Sequence, residues 1–238
     1  MTRPVWLQLF IDVPASGWDA AMPFWAAALG CTVSHARGET GQFVTLVPPS
    51  GDAWVKLQRV DAEGGVHLDL DGLTRPEAVR AVLAAGASPA WRYHDVEVLR
   101  SPGGLLFCCT LGRPGRLYRG GDTVADQVAI DIPALWWDAE VAFWTQVLGR
   151  EPVQGRRPEF VFLPDPDAGA RILLQKLGEA SGPVRAHPDL AVRDRAAVTQ
   201  RHVGLGAEVV DVRERWTVLR APGGQVYCLT DRDPATGL

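Results

Sequence analysis

The sequence predicts an α+β protein: four βαβββ modules forming two tandem copies of one domain, with curved mixed sheets around a cavity. Three observations carry this reading. The stretch "FIDVPASGWDAAMPFWAAALG", Phe10 to Gly30, returns as "AIDIPALWWDAEVAFWTQVLG", Ala129 to Gly149. Likewise "LRSPGGLLFCCT" returns as "LRAPGGQVYCLT", and His67, Pro102 and Cys108 map onto His187, Pro222 and Cys228. Within each copy, a strand, a helix and three more strands are written twice over. The first domain then covers residues 1–111 and the second 124–238, joined by the glycine- and arginine-rich linker 112–123, "GRPGRLYRGGDT".

In the first copy, a strand over about Val5 to Val13 leads into a helix on which Trp18, Met22, Trp25 and Leu29 recur at helical spacing, stopped by Gly30. Short strands are expected near Cys31–Ala36, Gln42–Val47 and Trp54–Val60. The order then restarts with a strand from Val66 to Leu70. A helix follows, opened by Thr74-Arg-Pro-Glu77, which reads as a capping box with proline in the first turn, and closed by Gly86. The last strand is the apolar run "LLFCCT". The second copy repeats each element.

Composition narrows the function. The chain has 238 residues, is 47% hydrophobic and carries a formal net charge of -4, enough for real cores and without a basic footprint for nucleic acid. The opening "MTRPVWLQLF" lacks a charged segment followed by an apolar run, and no membrane-length apolar stretch occurs, so a cytoplasmic protein is expected. Cys31, Cys108, Cys109 and Cys228 have neither CxxC spacing nor the density of a disulfide scaffold, and are expected to be reduced.

Strand alternation supplies the candidate site. In "VHLDLDG" it points His67, Asp69 and Asp71 to one side and Val66, Leu68 and Leu70 to the other. It also puts Trp6, Gln8 and Phe10 on one face, and Trp54, Lys56 and Gln58 on another. The second copy offers Gln127, Gln175, His187, Asp189 and Cys228, while Lys56 becomes Leu173, Trp54 becomes Arg171 and Phe10 becomes Ala129; Trp216 stands where the first copy has Val96. If these faces line cavities, the cavities are aromatic and amide-bearing and differ between copies. The histidines admit several readings: sheet anchors, pocket walls, metal ligands, or members of His67–Asp69 and His187–Asp189 acid–base pairs. Asp12 and Asp131 precede proline and most simply organise the turn into a helix. Trp18, Trp25, Trp137 and Trp144 lie seven apart on helices and read as core.

The doubled βαβββ plan, with "FWAAALG", "LQRV" before "VHLDL", and "LRSPGG" before a final apolar strand, resembles the glyoxalase-like and bleomycin-resistance-like branch of the vicinal oxygen chelate superfamily. That resemblance implies paired modules whose curved sheets enclose a cavity, which in enzymes of the superfamily holds a divalent metal on histidines and glutamates. Carried onto this chain, the ligand positions fall on Gln8, Lys56, His67 and Cys108, and on Gln127, Leu173, His187 and Cys228. Only the histidines match. Glutamine is a weak ligand, lysine repels a cation and leucine offers no donor.

The expectation is therefore a protein that binds a small, largely apolar organic molecule, with no resident metal or other cofactor, no nucleic-acid or membrane partner, as a monomer or homodimer. Its expected binding residues are Gln8, Phe10, Trp54, Gln58, His67, Asp69, Cys108, Gln127, Gln175, His187, Asp189, Trp216 and Cys228. The alternatives are a divalent-metal lyase, isomerase or dioxygenase, a metal-free His–Asp enzyme, and a scaffold without a ligand. Which modules pair stays open at this level.

Overall fold

The computed structural model describes residues 4–72, 74–165, 167 and 169–238; the first three residues of the opening segment lie outside that set. The first repeat runs β1 (Trp6–Pro14), α1 (Trp18–Leu29), β2 (Thr32–Val33), β3 (Phe43–Val47), β4 (Val55–Val60), β5 (Gly65–Gly72), α2 (Arg75–Ala84), β6 (Ser88–Tyr93), β7 (Val96–Arg100) and β8 (Leu106–Leu111). The second runs β9 (Thr123–Ile132), α3 (Trp137–Leu148), β10 (Val153–Gln154), β11 (Phe160–Leu163), β12 (Arg171–Lys176), β13 (Arg185–Val192), α4 (Arg195–Gly204), β14 (Glu208–Val212), β15 (Trp216–Arg220) and β16 (Val226–Thr230). Both repeats follow βαβββ-βαβββ. No helix among the described residues is long and apolar enough to cross a membrane.

Each repeat forms one curved, mixed, eight-stranded sheet with two helices. The orders are β2-β3-β4-β1-β5-β8-β7-β6 and β10-β11-β12-β9-β13-β16-β15-β14. Neighbouring modules therefore share a sheet. The parallel pairs β5/β8 and β13/β16 follow from the crossover through α2 and α4, since parallel strands need a long connection.

Packing divides the chain differently. One compact unit gathers residues 1–9, 67–115 and 128–186; the other gathers 10–66, 116–127 and 187–238. In the first, Phe107 of β8 meets Phe143 and Trp144 of α3, at 5.7 Å between ring centroids in both cases. In the second, Phe24 and Trp25 of α1 pack on Tyr227 of β16, at 5.9 and 5.1 Å. The helix of an odd-numbered module thus covers strands written in the other repeat.

Local departures from the sequence reading have local causes. The strand expected over Cys31–Ala36 shrinks to Thr32–Val33, because Ser34 Oγ takes the Thr45 N–H at 2.9 Å and Arg37 bridges to Phe43. Thr74 caps no backbone group; its hydroxyl donates to Glu77 at 2.5 Å. At α4 the cap does form, with Asp194 accepting from Ala197 N at 3.0 Å. Asp12 and Asp131 give no cap to the helices that follow, which are entered through short 3-10 turns at Ala15–Gly17 and Ala134–Trp136. Gly30 and Gly149 end α1 and α3 with φ near 60°, a left-handed backbone that favours glycine. Trp18, Trp25 and Trp144 are buried as expected, while Trp137 is half-buried under Lys176 Nζ at 5.7 Å.

Candidate functional site

Register and alternation together build a cluster in each unit. In the first, Asp69 of β5 pairs directly with Cys108 of β8, so both point to the same face, and His67 joins them two residues earlier. In the second, Asp189 of β13 pairs with Cys228 of β16 and His187 again stands two residues before. In each cluster an imidazole nitrogen, a carboxylate oxygen and the sulfur all lie within 4.8 Å of one another. Sequence alternation gives the His–Asp face but cannot supply the cysteine, because that needs the register of a parallel pair whose strands are far apart in the chain.

The two clusters are not copies. His67 Nε2 and Asp69 Oδ1 are 4.0 Å apart, whereas His187 Nε2 stands 3.2 Å from Asp189 Oδ1 and 3.5 Å from Cys228 Sγ. The glutamine on the first strand explains much of this. Gln8 Nε2 donates to Asp71 Oδ2 at 2.9 Å, and Thr110 donates to the other oxygen at 2.7 Å. The residue corresponding to Asp71 in the second repeat is Ala191, which has no carboxylate to offer. Gln127 donates instead to Asp189 Oδ2, and Thr230 turns its hydroxyl to Leu190 O at 3.1 Å. One acidic residue thus decides whether the glutamine serves a neighbour or the cluster itself.

Electrostatics follow the geometry. Burial on its own would push the Asp189 carboxyl up. The close approach and charge of His187, the charge of Arg232 and the Gln127 amide together outweigh it and hold the group below the usual carboxylate range. Cys109 points to the opposite face from Cys108 and is pushed up to about 12 by burial, with the charge of Asp69 adding to it. Cys31, half-buried, is pushed up to about 11 by burial alone.

The remaining expected residues distribute as follows. Phe10 lies edge-on to Phe43 at 6.2 Å, beneath Lys56 Nζ at 5.3 Å from its ring, and Gln58 sits opposite Phe43 in the β3/β4 register; all belong to the second unit. Trp54 does not share that surface: it is 5% exposed and its indole N–H donates to Ala125 O at 3.2 Å. Trp216 is half-buried at the start of β15, opposite Thr230. Gln175 is half-buried on β12 in the first unit, opposite Phe160. Near it Arg171 stacks on Phe162 at 4.7 Å, a cation–aromatic pair that sequence reading did not single out. Asp71 and Thr110 were also missed as partners of Gln8, although the alternation places Asp71 on the right face.

The fold family implies a divalent ion, and the donors can be tested against it. Hard divalent ions take oxygen ligands, several of them carboxylates. Here each cluster offers one carboxylate beside a thiol, and the Gln127 amide presents its N–H2 to the Asp189 oxygen. At the positions onto which the resemblance carries the family's further ligand, on or beside Lys56 and on Leu173, stand an ammonium and a hydrocarbon. These residues do not fit a hard divalent ion.

The sequence matches the family described as glyoxalase-like domain twice, over residues 8–110 and 127–230. No curated protein matches it. Among solved structures, the Mn(II)-bound glyoxalase from Novosphingobium aromaticivorans superposes with a TM-score of 0.66 at 19% identity, covering 97% of this chain and 83% of that one. A 2,2',3-trihydroxybiphenyl 1,2-dioxygenase from Sphingomonas wittichii gives 0.61 at 14% identity, covering 97% and 90%. A 2,3-dioxygenase from a Pseudomonas species gives 0.62 at 13% identity, covering 97% and 93%. At such identities the structural likeness establishes the fold alone. With both repeats matched almost end to end, the chain belongs to the glyoxalase-like domain family, as two tandem copies.

Proposed function

We propose that this protein binds a small, largely apolar organic molecule on the inner faces of its sheets, without a catalytic metal, in a sequestering role. The observation that carries this reading is that Lys56, an ammonium, and Leu173, a hydrocarbon, stand at positions onto which the resemblance carries further metal ligands, leaving each cluster a single carboxylate beside its histidine and thiol. Aromatic surface at Phe10, Phe43, Phe160 and Phe162 suits a flat ligand body, and the His–Asp–Cys clusters suit its polar end.

A thermal-shift screen against aromatic metabolites and antibiotics tests it, because a ligand specific to the native state raises its melting temperature. At about 100 times Kd the gain is about 2.7 kcal/mol. The expected result is a shift that a chelator leaves intact. Stoichiometric transition metal in protein purified without added metal, lost on H67A or H187A together with the ligand shift, would refute it.

A further inference from the structure

The second cluster can do more than line a wall. Cys228 Sγ lies 3.5 Å from His187 Nε2, and the same nitrogen lies 3.2 Å from Asp189 Oδ1. Asp189 is 4% exposed, and that oxygen accepts no well-formed hydrogen bond among the described residues, so a buried carboxylate stands beside the imidazole with acceptor capacity to spare. A thiol beside an imidazole that is itself flanked by a carboxylate can pass its proton to the ring, and the resulting imidazolium is stabilised by the carboxylate. Arg232, itself ion-paired with the buried Asp126, also acts on the charge of Asp189, and Val218, paired with Cys228 across β15/β16, brings no charge. Cys108 has the looser counterpart of this arrangement, whereas Cys31 and Cys109 are held protonated by burial.

We propose that Cys228 is a nucleophile which, with His187 as its base, captures soft carbon electrophiles of the α,β-unsaturated carbonyl class. His187 takes the thiol proton and the sulfur adds to the β-carbon, forming a C–S bond. The electron pair of the C=C bond moves to the α-carbon as an enolate, and His187 returns the proton there. Nothing is oxidised, and no group leaves. This goes beyond the binding reading, since reversible ligand shifts and covalent adducts are separate readouts.

The test is substoichiometric N-ethylmaleimide on the native full-length protein, with intact mass and peptide mapping of the adduct. Exposure alone favours Cys31, because Cys228 is 6% exposed and Cys31 is half-buried. The proposal expects Cys228 to be labelled first, Cys108 more slowly because its cluster is looser, and Cys31 later. H187Q should slow Cys228 labelling about tenfold, measured where its urea curve shows the variant still folded. Labelling of Cys31 ahead of Cys228 in the wild-type protein would overturn the proposal without any variant. So would a stoichiometric metal that has to be chelated before Cys228 reacts. Loss of thermal shifts with Cys228 labelling intact would instead count against the binding reading alone.

Discussion

His202 should make this protein lose stability in mild acid. It is 0% exposed on α4, with Nδ1 2.9 Å from the Tyr227 hydroxyl and the Phe24 ring edge-on at 5.9 Å. Burial, reinforced by the charge of Arg201, lowers its pKa from 6.5 to about 4. Between those values the unfolded chain binds a proton that the folded chain refuses, so the contribution is complete above pH 6.5 and is lost as pH falls toward 4. At about 1.4 kcal/mol per pH unit, the loss approaches about 3 kcal/mol. Glu140 opposes it: burial raises that carboxyl despite three hydrogen bonds, so its protonation in acid is favourable to the fold. The Asp122 carboxyl, held low by its hydrogen bonds to Arg201, weakens the fold only in stronger acid. The first repeat supplies the control, since it has Val82 and Phe107 where the second has His202 and Tyr227. H202V with Y227F removes both polar atoms together and leaves no buried hydroxyl behind. Urea denaturation at pH 7, 6, 5 and 4.5 should show the wild-type protein losing about 2–3 kcal/mol more than the double variant across that range. Parallel curves would refute the assignment.

Glu140 is fully buried and accepts from Ser101 Oγ, Gly103 N and Trp144 Nε1, each at 2.6 Å. E140A strands three buried donors and should cost about 3–5 kcal/mol in urea denaturation; a loss under about 1 kcal/mol would show that the carboxylate's own desolvation cancels its bonds. At Gly103 an added Cβ would collide with the Val184 side chain and with Trp136 at 2.9 Å, so G103A should lower Tm by about 4 °C or more in calorimetry. Residues 1–111 alone should fail to give a stable monomer in sedimentation, because Phe24 and Trp25 lose Tyr227, at about 2–3 kcal/mol per ring; a well-folded monomeric half would contradict the packing.

Much of the architecture was legible because the chain states it twice. A motif such as "SPGG" before an apolar strand is ambiguous once and informative when "APGG" repeats it in the same order. Alternation also placed His67, Asp69 and Asp71 on one face, since the strand period is a local property. What stayed hidden depends on register and on partners far along the chain. Cys108 was brought beside His67 by the resemblance and not by alternation, since its union with Asp69 is a property of the β5/β8 pairing, and the turning of Trp54 to Ala125 O depends on a strand 71 residues away. The pairing of modules was equally illegible: strand hydrogen bonds follow the repeats, while α1 and α3 find their cover in the other repeat, and apolar periodicity names no partner.

The divergence between the repeats shows how little sequence change re-tasks a polar face. Ser101, Glu140 and Trp144 form a hydrogen-bonded set; the corresponding Ala221, Ala21 and Trp25 do not, and Trp25 Nε1 is buried with no hydrogen-bond partner among the described residues. A buried N–H left this way costs about 1–3 kcal/mol, so one repeat carries a penalty the other avoids. At the clusters the effect runs the other way. Exchange of Asp71 for Ala191 removes a carboxylate from the second repeat, and it is there that the amide tightens onto Asp189 and the imidazole, carboxylate and sulfur close to 3.2 and 3.5 Å. Giving the second repeat an acid at position 191, by A191D, should draw Gln127 off Asp189 and loosen the cluster toward the geometry of the first. Slower labelling of Cys228 in that variant would tie the reactivity to this amide, and unchanged labelling would separate them.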